Sequence, residues 1–289
     1  MKTLRKILKW LGFIALALAV IGLTLYLIYL RPVMKKMEQT STINYDKELM
    51  IVIGGGGNSG ILVSDSLVIV IDTKMGDAAE QLSKTVKELA GKKPILVINT
   101  HVHTDHSSGN KYYKGQTILA GGNYTKESWV KDAGEETMPT QWVKDKMDIK
   151  MGDDTVTILN LDRYVHTASD VFVYLHQRKM LFGGDVILNK QAPALLGGAD
   201  PDGYVETFDR LPKEFNIRKI VPGHGPMGGI EILDNFRLYF NDMKTAATDD
   251  SKKDELVDKY KDWVQVPFVM SPDATIDVIK KRIHDKKDN

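Results

Sequence analysis

Residues 99–110 read NTHVHTDHSSGN, and three of the chain's seven histidines, His101, His103 and His106, crowd there around Asp105. Imidazoles and a carboxylate this close repel or desolvate one another unless something satisfies them. Both groups are good ligands for zinc-like divalent ions, so metal binding is the first chemistry to consider. In extended backbone, residues two apart face the same side, and His101 and His103 therefore converge on one ion. Asp105 and His106 are adjacent and diverge from that pair, toward a second ion close by. One loop thus furnishes half of two sites, and the rest of the chain must supply the remaining ligands. Ser107 or Ser108 is expected to cap a helix that follows. A polar capping loop with incidental histidines is the competing explanation, and the crowding argues against it.

Cysteine is absent, which excludes disulfides, thiolate metal ligands and a cysteine nucleophile. Any metal is held by nitrogen and oxygen alone. A chain of 289 residues with 43% hydrophobic content can bury one substantial core. The formal net charge is +1 and no dense basic run sits in the globular part. This argues against nucleic acid as a partner and leaves a small-molecule substrate.

The N-terminus differs in kind. Residues 11–30, LGFIALALAVIGLTLYLIYL, are uncharged and apolar, matching the roughly 20 residues a membrane-spanning helix needs. A basic tail over 1–10 carries Lys2, Arg5, Lys6 and Lys9, and Arg31, Lys35 and Lys36 follow the run. The small-x-small pattern Ala17-Leu18-Ala19 lies mid-run, where cleavage would leave IGLTLYLIYL exposed. An uncleaved signal-anchor is therefore favoured over a signal peptide. The slightly heavier basic flank on the N-terminal side favours a cytoplasmic N-terminus, with the catalytic part outside the cytoplasm.

Several elements must position the histidine loop. Residues 31–47 are polar and unpatterned and read as a linker. From Leu49, three short β-branched runs are broken by glycines and by Ser64-Asp65-Ser66. A helix is predicted from Asp77, with apolar positions at helical spacing and Gly91 as its stop. KPILVINT, a buried-looking strand, leads directly into the histidines. Strands and helices then alternate to about residue 245, which predicts a layered α/β architecture. Residues 246–289 are charged and helical, and are expected to be peripheral. Gly55–Gly60 fits G-x-G-x-x-G, but a strand follows where a dinucleotide site needs a helix, so a plain glycine loop is expected.

The motif HVHTDH after a buried strand resembles the signature of the metallo-β-lactamase superfamily, and the resemblance runs over roughly residues 49–245. It implies a four-layer αββα sandwich over residues 48–245, here preceded by one transmembrane helix. Three further segments match: YVHTASDVFVYL, MLFGGD and KIVPGHGP. The implied ligands are His101, His103 and His166 on one ion, Asp105, His106 and His224 on the other, and Asp185 between them. Asp72, in VIVIDT, matches an early strand-end aspartate that orients a ligand or the histidine loop. His176 and His284 fall outside the pattern. Two departures stand out: Ser108 and Ser169 occupy positions where glycine is usual.

The resemblance implies two zinc ions, or manganese or iron, about 3.5–4 Å apart and sharing a hydroxide that attacks the substrate. Asp105 would orient it or take its proton. The bond is chosen by elimination. Lactamases usually carry cysteine or serine where this chain has Asp185, and acyl-homoserine lactonases tend to have tyrosine where Leu188 stands. The tail is too short for a glyoxalase II domain, and no basic RNA-binding arm is present. An ester, thioester or lactone hydrolase remains. A phosphodiesterase or β-lactamase, a mono-iron persulfide dioxygenase and a non-catalytic tethered binding module are the rivals; His103, where di-iron reductases have glutamate, argues against those. Tyr204, in the segment following Asp185, is a candidate substrate contact.

Overall fold

The computed structural model describes residues 2–31, 39–195, 199–266 and 269–285. Contacts divide the chain into two units, residues 1–39 and 40–289. The first unit is helix α1 (Lys2–Leu25), continued by a π-helical turn over Tyr26–Leu30. Its span Trp10–Ile28 is long and apolar enough to cross a membrane, and none of it is buried. A core helix of a soluble protein would instead be covered. Part of the expected linker, residues 32–38, lies outside the described residues.

In the second unit two sheets face each other. Strands β1 (Thr40–Asn44), β2 (Leu49–Gly54), β3 (Ser59–Val63), β4 (Val68–Ile71), β5 (Ile95–Ile98), β6 (Thr117–Gly121) and β7 (Gln141–Val143) form one sheet in that order. It is antiparallel up to β4 and parallel from β4 to β7. The second sheet runs β12 (Lys219–Val221), β11 (Met180–Phe182), β10 (Val171–Leu175), β9 (Asp154–Asn160), β8 (Lys146–Met151). Period-two alternation then sorts side chains into layers. Ile51, Leu62, Ile69, Ile71 and Ile98 meet Val156, Ile158, Val171, Val173 and Phe182 between the sheets. Their neighbours Val52, Ile61, Val68, Val70 and Val97 face outward onto Leu82 and Val86 of helix α2 (Gly76–Ala90). On the far side Phe172, Tyr174, Leu181 and Ile220 are covered by residues from the C-terminal helices. The result is the four-layer αββα sandwich.

The remaining helices are α3 (Thr104–Ser107), α4 (Lys126–Ala133), α5 (Pro201–Glu214), α6 (Glu231–Thr248), α7 (Lys253–Lys259) and α8 (Pro272–Asp285). The helix read from Asp77 to Gly91 is α2, with Gly91 at φ 58° as its cap.

Three expectations are corrected here. Residues 40–44, read as linker, form edge strand β1, paired from Thr40↔Gly54 to Asn44↔Met50. All five side chains are exposed, so backbone pairing alone makes the strand and leaves no alternation to read. The described residues beyond 245, expected to be peripheral within 246–289, instead join the outer core, where Ala246, Tyr260, Ile276 and Ile279 are buried. The serines cap no helix with their side chains: one helical turn already begins at Thr104, and Ser107, which precedes the 3-10 helix Ser108–Tyr113, makes no capping bond to it. Ser107 Oγ instead donates back to the carbonyls of Val102 (2.8 Å) and His103 (3.0 Å).

Candidate metal centre

Every residue of the implied set sits just past the C-terminal end of a strand. Asp72 follows β4, the histidine loop follows β5, His166 follows β9, Asp185 follows β11 and His224 follows β12. The two sheets thus present five loops along one edge. The histidine loop is held from below by an amide pair, Asn110 Nδ2 donating to Asn99 Oδ1 (2.7 Å) and Asn99 Nδ2 to Asn110 Oδ1 (3.1 Å).

Two sets of donor atoms converge, His101, His103, His166 and Asp185 in one and Asp105, His106 and His224 in the other. In the first, His103 Nδ1 lies 3.1 Å from His101 Nε2 and 3.0 Å from His166 Nε2. In the second, His224 Nε2 is 3.0 Å from Asp105 Oδ2 and 3.4 Å from His106 Nε2. Asp185 stands between them. Its Oδ2 faces His166 Nε2 (3.7 Å) and His101 Nε2 (3.9 Å), while Oδ1 faces His106 Nε2 (3.1 Å) and His224 Nε2 (3.5 Å). Oδ1 is buried without a well-aligned hydrogen bond despite these neighbours.

The outward nitrogens are held in place. His106 Nδ1 meets Asp72 Oδ2 at 2.7 Å, His166 Nδ1 meets the Tyr204 hydroxyl at 3.1 Å, and His101 Nδ1 meets Thr100 Oγ1 at 3.2 Å. Asp72 also accepts from Thr100 N and Thr100 Oγ1, both at 2.7 Å, from a left-handed backbone at φ 57°. Such locking of ring orientation is what a metal ligand requires.

The electrostatics fit a cation. Burial pushes His166 down to about 3 and also lowers His101 and His103, so these imidazoles are neutral with free lone pairs. Burial also works downward on His224, yet Asp185 and Asp105 carry it up to about 9. His106 is raised as well, by Asp185, Asp72 and Asp105 against its burial. Burial pulls Asp105 upward, but His106 and His224 hold it at about 2. Buried carboxylates thus demand positive charge at the second set, and a divalent ion would meet that demand by displacing the protons that His106 and His224 hold there.

Tyr204 is corrected: it is fully buried, stacked on Phe240, and its hydroxyl holds His166 from behind. It cannot touch substrate. Its position on α5 in step with Phe208 and Leu211, all buried, is a core-facing helical spacing that was readable in the sequence. Asp170 was missed as a support: it accepts from His166 N (2.7 Å), Thr167 N (2.8 Å) and Thr167 Oγ1 (2.7 Å), fixing the loop that bears His166. His176 and His284 are exposed and away from the cluster.

Residues 52–224, more than half of the chain, match the family model described as the metallo-beta-lactamase superfamily. The chain belongs to the metallo-β-lactamase superfamily. Within it, the human protein named acyl-coenzyme A thioesterase MBLAC2 is 26% identical over 230 residues, covering 67% of this chain and 81% of that protein. The Bacteroides fragilis metallo-beta-lactamase type 2 is 24% identical over 188 residues, 64% of this chain and 75% of that one. Among solved structures, a metallo-beta-lactamase from Pontibacter korlensis matches with a TM-score of 0.59 at 21% identity, over 70% of this chain and 99% of that chain. The sec-alkylsulfatase Pisa1 from Pseudomonas sp. matches with a TM-score of 0.59 at 17% identity, over 74% of this chain and 43% of that one. These two likenesses establish the fold. The thioesterase and lactamase relatives are hydrolases, and the chain is a hydrolase of this superfamily.

Proposed function

We propose that the chain is a membrane-tethered hydrolase that uses two divalent ions, zinc or in its place manganese or iron, to cleave an acyl ester, thioester or lactone. The observation that carries this reading is the division of Asp185, with Oδ2 turned to His101 and His166 and Oδ1 to His106 and His224. A carboxylate shared in this way is suited to two cations. His101, His103 and His166 would hold one ion, and Asp105, His106 and His224 the other.

When bound, such a pair supplies Lewis-acid polarisation of the scissile carbonyl and a water acidified toward neutrality. Asp105 is only partly exposed, 3.0 Å from His224 Nε2, and would orient the attacking water or take its proton. Asp72, Thr100 and Tyr204 keep the ring nitrogens aimed inward. The thioester is the first class to test, because relatives bear the name acyl-coenzyme A thioesterase. An aspartate at 185, where lactamases usually carry cysteine or serine, also favours an acyl substrate over a β-lactam.

The test is metal content and a substrate panel on the purified full chain in detergent. Acyl thioester or ester cleavage that requires two ions per chain supports the proposal. Faster turnover of a β-lactam moves the chain to the lactamase branch. One iron per chain with oxygen consumption replaces hydrolysis by dioxygenase chemistry. No turnover by fully metallated protein makes it a binding module.

A further inference from the structure

From Gly54, the last residue of β2, the chain runs Gly55-Gly56-Gly57-Asn58, within the Gly55–Gly60 stretch expected to be a plain glycine loop. It lies directly against the second ligand set. A Cβ added to Gly57 would fall 2.2 Å from the His106 ring, and one on Gly56 would fall 2.8 Å from the Asp105 carbonyl oxygen. Gly57 N donates to that same carbonyl at 3.1 Å. Asn58 reaches the other side of the set. Its backbone N donates to Gly223 O (2.7 Å), and its Nδ2 donates to Pro222 O (2.9 Å) and Gly225 O (2.8 Å), gripping both flanks of His224. Its Oδ1 accepts from Gly54 N at 3.2 Å, closing the loop on itself. None of these contacts reaches His101, His103 or His166.

Four glycines hold no shape unaided. The shape comes from Lys74, whose side chain is wholly buried. Its Nζ donates to Val52 O (2.9 Å), Gly57 O (2.8 Å) and Gly54 O. Three carbonyl acceptors match the three N–H groups of an ammonium. Lys74 adopts φ 62°, a left-handed conformation that glycine holds with less strain. What lysine adds there is the side chain.

We infer that Lys74 and Asn58 are positioning residues that, through the glycine loop, fix Asp105, His106 and His224 and so set the affinity of the second ion. This rests on the two-ion reading above. The full chain and its variants Lys74→Met and Asn58→Asp are dialysed against graded free zinc, and bound zinc per chain is measured alongside thermal unfolding. In the variants one zinc binds as in the unaltered chain, while the second binds about 10–100-fold more weakly. The rate lost at low zinc returns as free zinc rises. Lys93→Met, which removes a lysine bonded at 2.9 Å to Ser64 O outside the loop, leaves both affinities unchanged. Folded variants that bind both ions within twofold of the unaltered chain overturn the inference, as does equal weakening of both ions. An unaltered chain that binds a single zinc overturns the two-ion reading and this inference with it. If Lys74→Met does not fold, Asn58→Asp decides alone.

Discussion

A methyl group at Gly223 would sit 2.0 Å from Asp185 Oδ1, so the backbone beside His224 must be bare for that carboxylate to reach the second set. Side chains this tightly fitted tolerate no truncation. Asp105→Ala and His103→Ala each lower turnover at least about 100-fold, with a measurable fall in bound metal, and unchanged rates and metal content would refute the assignment. Binding at the second set must also displace protons. His224, raised to about 9, and His106, raised as well, both carry protons near neutrality, so zinc affinity rises with pH from neutrality through about 9. Zinc titrations across that range check the sign. The seven residues that the structure gathers at the candidate centre were legible because their residue types and flanking motifs are local. Of their supports Asp72 was legible from VIVIDT, whereas Lys74 and Asn58 bond to carbonyls distant in sequence and nothing adjacent to them announces it.

Helices and strands were read well where burial imposes a period and poorly where it does not. The β2–β4 runs are nearly continuous and apolar because both faces of that sheet are covered, and α2 recurs at helical spacing because one of its faces is. Edge strand β1 shows no such pattern because its five side chains all meet solvent. The C-terminal helices mislead by composition, their charges lying on one face while Thr275, Ile276 and Ile279 turn inward. Ile276→Ala therefore destabilises the globular unit by about 3 kcal/mol, as a core truncation rather than a surface change. Denaturant unfolding measures it, and a shift under about 0.5 kcal/mol, the range of surface substitutions, would return α8 to the periphery.

On the scale of the whole chain, the exposed apolar span Trp10–Ile28 and the two-sheet unit from residue 40 are separate bodies. The full chain is expected to need detergent for extraction, and a chain lacking residues 1–39 to be soluble with turnover within about twofold, as expected for a unit with its own core. Release of an intact mature chain by osmotic shock would instead show signal cleavage. Protease protection of the globular unit in intact cells tests its expected extracytoplasmic side.

The convergence of loops from both sheets on one edge has a thermodynamic consequence. A denatured chain scatters those imidazoles and carboxylates over more than a hundred residues, so the cation has no comparable home there. Occupancy therefore rivets the halves of the sandwich together, adding about 2.7 kcal/mol at a hundredfold excess over the dissociation constant. Chelators should lower the melting temperature of the entire globular unit in one cooperative step, and a chelated protein that melts unchanged would mean the rivet bears no strain.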